Sequence, residues 1–136
     1  MAITYEWRGD FSNAEANALH AEAFETRLFS DEDWDWNDLV SKHSLGWVVA
    51  RADDGMLAGF VNVLWDGLVH AFIQDTMVTI GSRGQNVGTQ LVAVAREQAR
   101  DAGCEWLHVD FDEHLRAFYF DSCGFTPTTA GLIALQ

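Results

Sequence analysis

The residues whose types and spacing could do chemistry lie in one stretch, residues 78–89, with the sequence VTIGSRGQNVGT. An apolar run precedes this stretch and apolar residues at helical spacing follow it, so a strand should lead through a glycine-bearing loop into a helix. Backbone N–H groups in such a loop can converge on an anion at the positive end of the helix dipole, and Arg83 adds a cationic donor. The stretch therefore predicts a cradle for a phosphate or pyrophosphate group.

The glycine spacing excludes two common phosphate-binding patterns. A Walker loop ends in Gly-Lys-Ser/Thr, whereas Gly88 is followed directly by Thr89. A dinucleotide-binding loop needs G-x-G-x-x-G, and Gly81, Gly84 and Gly88 have other spacings. For the loop alone, an ordinary turn between a strand and a helix remains the alternative explanation.

The elements that must position this loop alternate along the chain. A strand is predicted at 3–7, and Ser12 with Glu15 gives a capping-box pattern for a helix that ends near Phe24. The acidic, tryptophan-rich residues 31–38 predict the start of a second helix that ends near His43. Further strands are predicted at 46–52, 56–65, 70–79, 106–111 and 132–135, with helices at 89–102 and 115–123. The order β-α-α-β-β-β-α-β-α-β predicts a mixed α/β (α+β) fold, with a largely antiparallel sheet flanked by helices.

Composition limits the class of protein. The chain has 136 residues and no linker-like stretch, so we expect a single domain over residues 1–136. Eight basic residues against 21 acidic ones give a net charge of −13, which leaves too few cations for a nucleic-acid footprint. There is no signal-peptide pattern and no apolar run long enough to span a membrane, and Cys104 and Cys123 fit a reducing compartment. We therefore expect a cytoplasmic protein without nucleic-acid or membrane partners.

Two motifs, residues 83–88 (RGQNVG) and residues 117–125 (AFYFDSCGF), carry a resemblance to a known family. The first is similar to the Arg/Gln-x-x-Gly-x-Gly/Ala motif of the GNAT superfamily of acetyl-CoA-dependent N-acetyltransferases. It departs from that motif only at Asn86, a residue type that tolerates a left-handed backbone. The second resembles the "FYxxxGF" helix and turn of the same family. With the order of the elements, the resemblance covers nearly the whole chain.

The resemblance implies that coenzyme A lies along the loop and the strand before it. The pyrophosphate would be held by Arg83, Gly84, Gln85, Asn86, Val87, Gly88 and Thr89. The pantetheine arm would pair with the strand edge at Met77, Val78 and Thr79, because in the family that strand splays from the next one. The N–H group near Val78 would polarise the thioester carbonyl. Acetyl-CoA is then the co-substrate, and no metal is implied.

Asp75 and Tyr119 are the catalytic residues that the resemblance implies. Asp75 stands where many family members carry an acidic residue near the acceptor amine; it could accept a proton, only attract the ammonium, or cap a loop. His70 is a second candidate base because a histidine side chain can take up and release a proton near neutral pH. Tyr119 is the candidate acid for the departing thiolate, but four residues rather than three separate it from Gly124. Counted back from Gly124, Phe120 takes the tyrosine's place, and one residue of helix is a rotation of about 100°.

The segment between the first two helices helps to form the acceptor site in this fold. Here it carries Asp31, Asp33 and Trp34, and carboxylates and indole faces both attract an ammonium group. Together with Asp75, these residues predict a small cationic or polycationic amine, such as a polyamine or an aminoglycoside-like molecule. The alternatives are a solvated helix start with both tryptophans in the core, and a basic peptide or protein lysine as the acceptor.

The activity that the resemblance implies is transfer of the acetyl group to a primary amine by direct attack in a ternary complex. A non-catalytic CoA-binding sensor or interaction module of the same fold is the alternative, because Asn86 and the spacing of Tyr119 depart from the family pattern. The end strand at 132–135 could pair across a homodimer. His108, Asp110, Asp112 and His114 recur at every second position, but the strand should end near residue 111, so we predict no metal site.

Overall fold

A five-stranded sheet is the centre of the fold in a computed structural model, which describes residues 2–136. Its strands are β1 (Ile3–Trp7), β2 (Ser44–Ala52), β3 (Leu57–Trp65), β4 (His70–Val78) and β5 (Trp106–Val109). They lie side by side in chain order; β1 to β4 are antiparallel and β5 runs parallel to β4. The predicted mixed, largely antiparallel sheet is therefore confirmed.

Helices cover both faces of the sheet. Helices α1 (Asn13–Phe24) and α2 (Trp36–His43) pack on one face, where Trp36, Phe60 and Met77 are fully buried. Helix α3 (Val87–Asp101) packs on the other face, where Leu91 and Val61 are fully buried. Each such side chain contributes about 1.5–3 kcal/mol when it leaves water, so these two clusters hold the helices to the sheet. Between residues 2 and 136, no helix is long and apolar enough to cross a bilayer.

The start of α1 is fixed by its predicted capping box. The Ser12 hydroxyl accepts a hydrogen bond from the Glu15 N–H (3.1 Å), and the Glu15 carboxylate accepts one from the Ser12 N–H (2.8 Å). Arg51 on β2 donates to both oxygens of the same carboxylate at 2.7 Å, which ties the helix to the sheet. The register of α1 is thereby set, and its last turn reaches the glycine-bearing loop.

Two predicted helix starts are wrong by a few residues. Helix α2 begins at Trp36, because the Asp35 carboxylate caps the Asp38 N–H at 3.0 Å, whereas residues 31–33 form a turn that Ser30 closes. Helix α3 begins at Val87, two residues before the predicted start, because Asn86 takes the left-handed conformation (φ 66°) at its N-cap. In both cases the helix starts at a different residue than predicted because of the residue at its N-cap, which is Asp35 for α2 and Asn86 for α3.

Two predictions near the end of the chain are also wrong. No strand forms at 132–135, because the segment after Gly124 reaches no partner strand; Leu132, Ile133 and Leu135 are 84%, 82% and 93% exposed. The helix predicted at 115–123 is a 3₁₀ turn (Glu113–Leu115) followed by a π-helix (Ala117–Ser122).

Candidate active site

A cleft opens where β4 and β5 separate. The two strands pair only from His70 with Trp106 to Ile73 with Val109, although β4 continues to Val78. Beyond Ile73, this edge of β4 faces no strand among residues 2–136, so its backbone groups are free to pair with an extended ligand. The cleft has a volume of about 670 Å³ and is lined by β4, the glycine-bearing loop, α3 and the π-helix.

The loop presents free amide groups to this cleft. Gly84 (φ 83°) and Asn86 (φ 66°) both adopt left-handed conformations, which turn the chain sharply into α3. The first N–H groups of a helix have no intrahelical acceptor, and within the described chain the Asn86 side chain does not cap them. A side chain at position 88 would crowd the Phe118 ring, because a Cβ there would lie 3.0 Å from the nearest ring atom. The start of α3 therefore has the unpaired N–H groups that the predicted phosphate cradle would need.

Two hydrogen bonds tie the loop to the end of α1. The Arg83 guanidinium donates to the Ala23 carbonyl at 3.2 Å, and the Ile80 N–H donates to the Glu22 carboxylate at 2.6 Å. Within the loop, the Gln85 carboxamide donates to the Gly81 carbonyl at 3.2 Å. The loop is thus held in one shape by its neighbours before any ligand is bound.

Most of the predicted coenzyme-binding residues border the cleft. The residues that do so are Val78, Arg83, Gly84, Asn86, Val87, Gly88 and Thr89. The other three do not: Met77 is fully buried against α1 and α2, the Thr79 N–H donates to Ala58, and Gln85 braces the loop.

Asp75 lies in a β-bulge of β4 and is not itself among the residues that line the cleft. Phe60 pairs with Met77 and Asn62 pairs with Gln74, so Asp75 and Thr76 together oppose a single residue of β3. Asp75 has φ 55°, a conformation that costs a residue with a side chain about 1–2 kcal/mol. Burial raises the pKa of its carboxyl, and the charge of nearby His20 partly offsets that rise. Thr76, the next residue, lines the cleft.

Tyr119 faces the cleft despite the extra residue before Gly124. The π-helix closes its hydrogen bonds one residue later than an α-helix does, and the Cys123 N–H donates to the Phe118 carbonyl at 3.0 Å. The wider turn absorbs the extra residue, so Tyr119 lines the cleft and Phe120 packs against Phe111 outside it. Burial raises the pKa of Tyr119, and the nearby Thr76 side chain partly offsets that rise.

The chain is similar to known proteins over most of its length. The family model described as "Acetyltransferase (GNAT) family" matches residues 5–125. The chain belongs to the GNAT acetyltransferase family. Comparison with curated proteins gives no match.

Solved GNAT structures share the fold of this GNAT chain. Glucosamine-6-phosphate N-acetyltransferase from Arabidopsis thaliana has a TM-score of 0.75 and 18% identity, over 96% of this chain and 97% of that one. AAC(6')-Iy, in complex with the bisubstrate analog CoA-S-monomethyl-acetylneamine, has a TM-score of 0.78 and 16% identity, over 100% and 99% of the two chains. The Escherichia coli GNAT family N-acetyltransferase YhbS, in complex with CoA, has a TM-score of 0.72 and 19% identity, over 91% and 68%. At these identities the likeness is one of fold.

The predicted acceptor residues of the GNAT chain do not form one group. The Asp31 carboxylate accepts a hydrogen bond from the Asn17 amide (3.1 Å), which in turn accepts one from the buried Trp36 indole (2.8 Å). Asp33 lies on the exposed turn before α2. Trp34 is partly exposed and stacks on His20, with ring centroids 6.3 Å apart. Trp34 is thus the one of these three that contacts His20, the side chain whose charge acts on Asp75.

An aromatic cluster on α1 and the following segment was missed by the sequence analysis. We use "the aromatic cluster" for His20, Phe24, Phe29, Trp34 and Trp36. The His20 ring lies at its centre, with ring centroids 5.0 to 6.3 Å from those of the other four. His20 and Phe24 are four residues apart, the spacing that places side chains on one face of a helix, and this signal could have found the cluster.

His70, the second candidate base, lies away from the cleft. It is at the first position of β4, where its Nδ1 is 2.9 Å from Nε2 of His108. Strand β5 ends at Val109, so the alternating His and Asp residues at 108–114 do not share a strand face. Among residues 2–136 there is no group of three side chains able to hold a metal ion.

Proposed function

We propose that this GNAT chain is an N-acetyltransferase, which transfers the acetyl group of acetyl-CoA to a primary amine by direct attack in a ternary complex. One observation carries the proposal: the free edge of β4, the amides at the start of α3 and the Tyr119 side chain all border one cleft. An extended thioester with a pyrophosphate group needs these three features together.

In this proposal the coenzyme is held mainly by backbone groups. The amides of Gly84, Asn86, Val87, Gly88 and Thr89 donate to the pyrophosphate, and the Arg83 guanidinium adds a positive charge. The backbone of Val78, between Met77 and Thr79, pairs with the pantetheine arm from the free edge of β4, while Gln85 keeps the loop in shape. The N–H near Val78 stabilises the negative charge that develops on the thioester oxygen.

The chemistry needs a neutral amine and a proton for the sulfur. Asp75 accepts a proton from the ammonium, directly or through a water molecule, and its raised pKa makes it a stronger base than an exposed aspartate. The amine nitrogen then bonds to the acetyl carbon and the carbon–sulfur bond breaks. Tyr119 donates a proton to the thiolate, and the second proton of the nitrogen passes through water to the tyrosinate. The raised pKa of Tyr119 keeps its hydroxyl protonated at neutral pH.

A small cationic amine is the acceptor that the charge of the chain favours. The net charge of −13 attracts cations. The names of two similar structures mention glucosamine-6-phosphate and an acetylneamine analog, which are amino sugars or derivatives of them. Of the predicted acceptor residues, we keep Asp75 and Trp34 in the site, and Asp31 and Asp33 contribute only their charge. Both cysteines are free, which agrees with action in the cytoplasm.

Calorimetric titration with acetyl-CoA tests the cradle, with ATP and NAD as controls. Gly88→Val would place a side chain against Phe118 and into the cleft, whereas the control Gly131→Val meets nothing within 4 Å. We expect selective binding in the micromolar range, lost in Gly88→Val and kept in Gly131→Val. Thiol release with a panel of amines then separates the enzyme from the non-catalytic sensor, which would bind acetyl-CoA without turnover. Absence of binding by the unaltered chain would overturn the proposal.

A further inference from the structure

Helix α1 ends on a glutamate at a position where local physics disfavours one. Glu25 takes the left-handed conformation (φ 52°, ψ 47°) at the C-cap, and its N–H group and that of Thr26 both donate to the Ala21 carbonyl. Glycine usually occupies this place in a helix end, because it alone adopts the conformation without steric cost. The carboxylate also lies at the negative end of the helix dipole, and the last turn of α1 has no basic residue. Two local preferences are therefore broken at one residue.

The fold makes no use of the Glu25 side chain. It is exposed, and among residues 2–136 its carboxylate takes part in no hydrogen bond or ion pair. The two other glutamates of α1 do hold the structure together: Glu15 binds Arg51 on β2, and Glu22 accepts a hydrogen bond from the Ile80 N–H. A residue that breaks local preferences without a compensating contact indicates a functional position.

Glu25 lines the cleft, next to Phe24. The coenzyme of the proposed function is an anion, and a carboxylate repels its phosphates, so the coenzyme is not the ligand that Glu25 serves. The other substrate is then the one that its negative charge complements. Asp112 is the second acidic residue at the cleft, but it stands at the N-cap of a 3₁₀ turn with φ −73°, where aspartate is a favoured residue. Its presence has a local explanation, whereas that of Glu25 does not.

We propose that Glu25 determines acceptor specificity by pairing with a positive charge of the acceptor other than the reacting amine. The reacting amine must be neutral when its nitrogen bonds to the acetyl carbon and the carbon–sulfur bond breaks, and a carboxylate beside it would favour the ammonium form instead. The group at Glu25 keeps its proton throughout the transfer. The acceptor class is then amines that carry a second ammonium group. Because it concerns the acceptor of the same transfer, this assignment rests on the proposed function.

The test compares pentylamine with cadaverine, the same alkyl chain with a second terminal amino group, in acetyl transfer by the full chain. Per amino group, we expect kcat/KM for cadaverine to be higher by about fivefold, the strength of one partly exposed ion pair, with the difference mainly in KM. Glu25→Gln keeps the shape of the side chain and removes its charge, so the preference should disappear. Glu105→Gln is the matched control, because Glu105 is exposed, does not line the cleft and changes the net charge equally.

A second variant separates specificity from structure. Glu25→Gly relieves the left-handed backbone, so its unfolding temperature should rise by about 2–5 °C while the preference for cadaverine is lost. Affinity for acetyl-CoA, measured by calorimetry, should be unchanged or slightly higher in both variants.

Three results would overturn the assignment and leave the proposed function standing. They are equal turnover of the two amines by the unaltered chain, a preference for cadaverine that survives Glu25→Gln, and weaker acetyl-CoA binding in Glu25→Gln, which would mean that the carboxylate shapes the coenzyme loop. Absence of acetyl-CoA binding by the unaltered chain would remove both the assignment and the proposed function.

Discussion

Replacing Asp75 with asparagine tests what burial of this carboxylate does to the protein. The side chain lies in the β4 bulge, largely buried, and burial raises its pKa. Its backbone is left-handed (φ 55°), a conformation that asparagine tolerates as well as aspartate does. Asp75→Asn therefore removes the charge and leaves the backbone preference unchanged.

The effect on stability has a definite sign. The unfolded carboxyl titrates near pH 3.8, and the folded one titrates above that pH. Between these two values the folded state holds a proton that the unfolded state has lost, so stability falls as pH rises through the interval. Above it, the ionised and partly desolvated carboxylate should cost about 1–2 kcal/mol, which the neutral amide avoids. For a chain of this length, Asp75→Asn should raise the unfolding temperature at pH 8 by about 3–7 °C.

Thermal unfolding followed by circular dichroism from pH 3 to pH 8 measures this difference, alongside acetyl transfer at pH 8. We expect the gain to vanish towards pH 3, and activity to fall by about 10²- to 10⁴-fold as a general base is lost. Asp75→Ala is the control, because alanine pays about 1–2 kcal/mol for the left-handed conformation and should melt below Asp75→Asn. A variant Asp75→Asn that is less stable at pH 8, or a gap that does not change with pH, would refute the reasoning.

Two further predictions concern the other end of the chain. Tyr119→Phe should lower kcat by about 10²-fold and remove the alkaline limb of the pH–rate profile, because the raised pKa of Tyr119 keeps it a proton donor well above neutral pH. Unchanged turnover in that variant would remove its role as the acid. The homodimer that the sequence analysis considered is tested by Ile133→Asp: the Ile133 side chain is exposed in the single chain, so the far-UV circular dichroism of the fold should not change while a dimer in sedimentation velocity disappears. Thr129→Asp is its control, and a purely monomeric unaltered protein would contradict the dimer.

Local patterns predicted the parts of this structure whose causes are local. The capping box at Ser12 and Glu15, the strands up to residue 109 and the left-handed Asn86 each follow from a few adjacent residues. The predicted coenzyme loop likewise borders the cleft at most of its positions, because a strand–loop–helix unit carries its own geometry.

The structure differs from the sequence-based predictions where it depends on contacts between residues that are far apart in the chain. Tyr119 reaches the cleft only through a π-helix, and spacing counted on an α-helix cannot show that. Residues 132–135 have the composition of a strand but no partner edge, so a prediction from composition placed a strand where none forms. His20 and Trp34 meet across fourteen residues of chain, and Asp31 is occupied by Asn17 from α1. Each of these contacts depends on how α1 packs, which no single stretch of the sequence specifies.

The two hydrogen bonds between the loop and α1 connect the proposed coenzyme loop to the aromatic cluster. Arg83 holds the Ala23 carbonyl, and Ala23 adjoins Phe24 at the entrance to the aromatic cluster. In the proposed function, a pyrophosphate that draws the Arg83 guanidinium towards itself would free the Ala23 carbonyl in the last turn of α1, next to the aromatic cluster. Linkage then requires the acceptor to change the affinity for the coenzyme by the same factor as the coenzyme changes the affinity for the acceptor.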